Sequence, residues 1–239
     1  MGLLSFFTNV GYVASRFLNP RLEFDRDNDL TPVTIATEGP MVLLVGPNSP
    51  FHSVADIVAE ARRQPGHFSY GSSGGDRALQ LTALGFLRAA GLRMNEVAYR
   101  GSGQALPDLA TGLLAMMFDS GVAGFALARS GQARALAVSS PSCSVVMPEL
   151  PTLAEAGFPA ATFSRWQVLL APSTMPAALI ATINRAFVKA ITDPAIHQRI
   201  VDLGAERIVA NSPEEAQRYF AAEMAKWTDI LGTHDTRRG

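Results

Sequence analysis

The sequence predicts an α/β protein with parallel-rich sheets flanked by helices. Short apolar runs alternate with helical periodicity from about residue 40 to residue 139, glycine-rich turns follow successive strand patterns, and the texture turns mostly helical after Pro148. The first strand pattern is residues 40–47 (PMVLLVGP), a continuous apolar run between prolines. Ser53 then caps a helix, with Asp56 three residues on completing a capping box. Val54, Ile57, Val58 and Ala61 form its buried stripe, and Pro65-Gly66 ends it. Residues 67–70 (HFSY) read as a strand running into Gly71-Ser72-Ser73-Gly74-Gly75, and a helix follows over about 77–90.

The alternation continues. Strands are expected at 95–100 (NEVAYR), 113–119 (LLAMMFD) and 133–139 (ARALAVS), with helices between them ending near Gly112 and Gly131. Strands joined by helical crossovers of this length predict right-handed βαβ units and a parallel sheet covered on both faces. Beyond Pro148, residues 168–172 (VLLAP) form one more strand. A helix from near Pro176 turns Ile180, Ile183, Phe187 and Ile191 to one side. After a short helix from Asp193-Pro194, the last helix starts at Ser212-Pro213 with Glu215 as a second capping box; its stripe is Tyr219, Phe220, Met224, Trp227 and Leu231.

Composition narrows the function. The 239 residues are 48% hydrophobic and 17% charged, enough for a substantial core, and the formal charge is −1. No basic block is present, which argues against nucleic acid or an anionic membrane as partner. The single Cys143 and four scattered histidines offer no disulfide, zinc cluster or HExxH pair, so no metal or cofactor is expected. Residues 1–17 (MGLLSFFTNVGYVASRF) begin apolar but lack a basic n-region. Their run breaks at Thr8-Asn9, and Arg16 follows Ala14-Ser15, so no working signal peptide is expected in this stretch. No segment is long and apolar enough to span a bilayer.

The loop Gly71–Gly75 carries the most chemistry. Its glycines permit a tight turn, the helix N-terminus after it presents amide donors and a positive dipole end, and Ser72 and Ser73 add hydroxyls, a set suited to a carboxylate or phosphate oxygen. Ser73 as a simple helix cap is the plainer role. The same residues match GxSxG, the nucleophile elbow of serine hydrolases, yet the downstream histidines, His197 and His234, fall in a helix and a polar tail. Gly101-Ser102-Gly103 repeats the glycine–serine theme after the next strand. Strand ends in a parallel sheet share an edge where ligands bind, and Tyr99 and Asp119 close strands there. Asp119 could accept from a ligand or hold a neighbouring loop by its backbone amides. Trp166 could line a cleft or fill the core.

Read in order, these stretches resemble the Bug/TctC family of tripartite tricarboxylate transporter receptors. The matches are residues 29–33 (DLTPV), Ser53 to Ala55 leading into a helix, 68–74 (FSYGSSG) and 97–102 (VAYRGS). Further on come 116–119 (MMFD), 134–139 (RALAVS), 150–157 (LPTLAEAG), Trp166 with 169–172 (LLAP), and 203–206 (LGAE). The resemblance implies a two-domain, periplasmic-binding-protein-like fold of type II that closes on its ligand like a flytrap. Residues 48–163 would form the second domain; 1–47 and 164–239 would form an incomplete first domain, since members carry a signal peptide and about two more βα units in front. It further implies a periplasmic solute-binding protein and no enzyme, with a small carboxylate as ligand and the transporter's membrane components as partners. Ser72, Ser73 and Gly74, the turn Tyr99–Gly101 with Ser102, and Asp119 would line the site, with Trp166 beside it. The family's small hydroxyl residues and histidine after SSG are replaced here by Gly75, Asp76, Arg77, Ala78, Leu79 and Gln80. Arg77 is therefore expected to supply a guanidinium to a carboxylate. A chain short of strands and helices would expose apolar surface and self-associate. Two alternatives stand beside this reading: a serine hydrolase using the GSSGG loop, and a ligand-sensing regulatory domain, although neither terminus shows a helix-turn-helix.

Overall fold

The computed structural model describes residues 6–9, 11–12, 29–73, 77–202 and 207–232. The chain divides into two units: residues 1–38 with 166–239, and residues 39–165.

The second unit holds the alternating part of the sequence. Its strands are the latter half of β2 (Leu30–Val45), then β3 (Ser69–Ser73), β4 (Asn95–Tyr99), β5 (Met116–Ser120) and β6 (Arg134–Val138). β3 pairs in parallel with β4 and β5, whereas β2 runs antiparallel to both β5 and β6. The expected parallel-rich sheet is present as a mixed one, in which β3 to β6 share a direction and β2 opposes them. An apolar run buried on both faces looks the same in either direction, so residues 40–47 carried no sign of their orientation.

Helices cover both faces, as alternation along β2 and β5 requires. Val42, Leu44 and Met117 pack with Ala105 and Leu109 of α3 (Ser102–Thr111) and Phe125 of α4 (Gly121–Arg129). Phe118 turns the other way and meets Phe86 of α2 (Arg77–Ala90), which also stacks edge-on with Phe158. α1 (Val54–Arg63) forms where expected. Ser53 Oγ accepts the Asp56 amide while the Asp56 carboxylate accepts the Ser53 amide, and Val54, Ile57, Val58 and Ala61 are buried. In this part of the chain β2 starts at Leu30 rather than at residue 40, β4 and β6 fall within one residue of the expected limits, and two strands differ further. The third spans Ser69–Ser73 rather than residues 67–70, because His67 closes a turn back onto Gln64 and the ladder with β4 extends through both serines. The fifth starts only at Met116, since Gly112 ends α3 at φ +82° and Leu113 stands 70% exposed in the turn.

In the first unit, β1 (Phe6–Asn9) runs antiparallel to β7 (Ser164–Pro172), and the front half of β2 pairs with β8 (Arg207–Ile208). α5 (Ala177–Ile191) lays Ile180 on Val33, Leu169 and Ala171, with Ile183 and Phe187 partly buried beside them. α6 (Pro194–Asp202) follows. α7 (Pro213–Gly232) opens with the second expected capping box, Ser212 with Glu215, and buries Ala216, Phe220 and Trp227. Leu231, expected in its stripe, has a side chain outside the described residues.

Candidate functional site

Because β3, β4, β5 and β6 point one way, their C-terminal ends and the helices after β3, β4 and β5 begin at a single edge of the second unit. Ser73 ends β3 directly opposite Tyr99 at the end of β4, and Ser72 lies opposite Ala98. Ser72, Ser102, Tyr99, Gly101 and Asp119 are therefore brought to this edge, as expected. Gly74 lies outside the described residues, as do the side chains of Ser73 and Arg77.

Two of the expected donors are already engaged. Ser72 is buried, and its hydroxyl donates to Glu96 Oε1 at 2.5 Å; Gln80 Nε2 donates to the same oxygen at 2.8 Å. Burial, and then the neighbouring Glu96 carboxylate, push the Tyr70 phenol upward. The Tyr99 hydroxyl donates to Asp108 Oδ2 of α3 at 2.6 Å, and burial followed by this bond raises its pKa to about 12. Asp119 is buried, with Oδ1 accepting the amide of Ser120 at 2.8 Å, the backbone-holding bond that was one of its two expected roles. Trp166 belongs to the first unit and is fully buried, its ring edge-on to Phe220 and its Nε1 donating to Glu223 at 2.9 Å, so within that unit it fills the core.

The starts of α3 and α4 at this edge lack the side-chain caps that α1 and α7 have, as does the start of α5 in the first unit. In α1 and α7 one first-turn amide, of Asp56 and of Glu215, is taken up by the helix's own box. α3 begins after Gly101, which has no side chain to offer, and α4 begins after Ser120 with no side-chain cap. Their outward amides and positive dipole ends are therefore available for an anion. A small cavity of about 10 Å³ lies between β3 and α3, lined by Gly71, Ser72, Leu79, Ser102, Met117 and Phe118. A larger one, about 300 Å³, sits at the opposite edge among Asn48, Phe51, Phe68, Leu109 and Thr111, with no charged lining and away from the helix starts. Among the described residues no group of His, Cys, Asp or Glu is placed to hold a metal ion.

Glu96 and Asp108 escaped the sequence reading, which named Gln80 without giving it a role. Glu96 stands in a strand pattern whose polar positions look like solvent exposure, and only the β3–β4 register puts it within reach of Ser72.

The mixed sheets flanked by helices are those of a periplasmic binding protein. R. palustris Rpa4515 with adipate superposes with a TM-score of 0.80 at 30% identity, covering 96% of this chain and 77% of that one. MatC from Rhodopseudomonas palustris with bound malate gives 0.78 at 25% identity, covering 95% and 78%. The chain belongs to the tripartite tricarboxylate transporter family receptors, whose family pattern matches residues 3–235. It is 31% identical over 224 residues to a UPF0065 protein from the tcbD-tcbE intergenic region of Pseudomonas sp. (strain P51), covering 93% of this chain and 66% of that protein. It is 30% identical over 215 residues to BugT of Bordetella pertussis, covering 90% and 65%. The chain thus spans just under two thirds of the length of these curated relatives. The family is one of receptors rather than enzymes. Among the described residues, no helix is long and apolar enough to cross a membrane.

Proposed function

We propose that this chain serves as the solute-binding receptor of a tripartite tricarboxylate transporter-type system, working in the periplasm with the transporter's membrane components. It takes a small carboxylate-bearing solute at the edge where β3, β4 and β5 end. The observation that carries this reading is the pair of uncapped helix starts, α3 after Gly101 and α4 after Ser120, at one sheet edge. A carboxylate supplies the acceptors those amides lack and sits favourably at two positive dipole ends. The adipate and malate held by the two R. palustris neighbours support the same ligand class. With Ser72 and Tyr99 committed to Glu96 and Asp108, backbone amides are the main anion donors.

Ser102→Pro tests this directly. Ser102 is the first residue of α3, where proline fits a helix, and Gly101 before it is already extended, as a residue preceding proline must be. The substitution removes one amide donor and leaves the helix. Affinity for adipate or malate should fall by about 1.5–3 kcal/mol, the scale of one charge-assisted hydrogen bond, while the thermal midpoint holds. Calorimetry reads both quantities. Unchanged affinity sinks the role of the α3 amides, and no binding of any small carboxylate at millimolar concentration sinks the proposed function.

A further inference from the structure

One carboxylate ties together the two ends of the β3–α2 loop. Ser72, at the end of β3, and Gln80, in the first turn of α2, both donate to Glu96 Oε1, at 2.5 and 2.8 Å. Glu96 reaches them from β4, where it lies opposite Tyr70, two positions before the residue facing Ser72. A serine hydroxyl has a single proton. With that proton given to Glu96, Ser72 Oγ can offer only lone pairs: it accepts from a ligand donor and opposes a ligand carboxylate oxygen. Ser72 and Ser102 line the same small cavity, so this acceptor lies beside the first turn of α3, where the amides favour an anion.

From this geometry we infer that Glu96 is a specificity-determining residue. Acting through Ser72, it makes the β3 side of the site an acceptor, and it selects carboxylates that also bear a hydroxyl or ammonium donor over those whose second polar group is another carboxylate. The inference rests on the carboxylate-receptor reading above and narrows its substrate class. Glu96 is a positioning residue: it sets the direction of the Ser72 proton and adds a fixed negative charge beside the loop.

The test is calorimetry of the full chain with succinate, malate and aspartate, one four-carbon diacid skeleton bearing no donor, a hydroxyl or an ammonium. The unsubstituted chain should prefer malate and aspartate to succinate by about fivefold or more, the scale of one hydrogen bond. Glu96→Ala frees the Ser72 proton and should abolish that preference, mainly by strengthening succinate, and Glu96→Asp should restore it. Ser72→Ala should remove the malate preference while leaving succinate nearly unchanged. If Glu96→Ala fails to fold, Glu96→Gln keeps the acceptor for Ser72 and Gln80 and removes the charge, so it should retain the malate preference and lessen that for aspartate; loss of the malate preference in this variant overturns the acceptor role of Ser72. Equal weakening of all three ligands, or an unaltered ratio, overturns the role of Glu96 while the carboxylate reading stands. Failure of all three to bind the unsubstituted chain overturns that reading and this inference with it.

Discussion

At the scale of single residues, the engaged hydroxyls decide which groups can meet a ligand. Tyr99 shows this on the stability side. Its hydroxyl bonds Asp108 at 2.6 Å and its ring packs beside the α3–α4 core, so Tyr99→Phe should cost about 1 kcal/mol of stability and leave carboxylate affinity within about twofold. The bond also gives a pH signature. The folded pKa, about 12, lies above the ordinary tyrosine value near 10. The group therefore contributes its full stability below about pH 10 and loses it as pH rises toward 12. Urea melts across that window should fall more steeply for the unsubstituted chain than for Tyr99→Phe. Parallel curves would show that the hydroxyl bond carries nothing.

At the scale of elements, close backbone approaches fix how helices seat on the sheet. Gly46, just past β2, lies so near the end of α3 that an added Cβ would stand 2.2 Å from the Leu109 carbonyl oxygen. No side-chain motion can relieve a clash with backbone. Gly46→Ala should therefore lower stability by about 2 kcal/mol or more through displacement of α3, and it should weaken ligand binding as well, since the far end of α3 bears the site. A denaturant midpoint equal to that of the unsubstituted chain would mean α3 is free to shift. The helix order and the two capping boxes were legible beforehand because Ser53 with Asp56 and Ser212 with Glu215 act within one helical turn. Strand limits were less legible, because the ladder of β3 with β4, and not local propensity, carries β3 through Ser72 and Ser73.

At the scale of the whole molecule, Asp56 and Glu155 in the second unit and Glu215 in the first each accept backbone amides at the start of a helix or turn. Bonds from backbone amides, of His52 to Asp56, Thr152 to Glu155 and Ser212 to Glu215, hold each carboxyl below its ordinary value. A depressed folded pKa means stability that is present above the unfolded pKa, near 4, and lost as pH falls through the folded one. Both units should therefore weaken together below about pH 4. Asp56→Asn and Glu215→Gln should each flatten the acid limb of the urea midpoint, and a midpoint that does not move between pH 6 and pH 3 would contradict it.

The sequence by itself determined the alternation of strands and helices from residue 40 to residue 139, the caps at Ser53 and Ser212, and the ordered motifs that carry the family resemblance, because periodicity, turn chemistry and capping are interactions between near neighbours in the chain, whereas β1, the front half of β2 and β8 went unread. Tertiary structure alone decided that β2 opposes the strands beside it, that Trp166 fills a core, and that Ser72 and Tyr99 give their protons to Glu96 and Asp108. Ser72 and Glu96 are 24 residues apart, and only the register of β3 against β4 joins them. A hydroxyl's partner, unlike a helix cap, depends on which strand folds in alongside it.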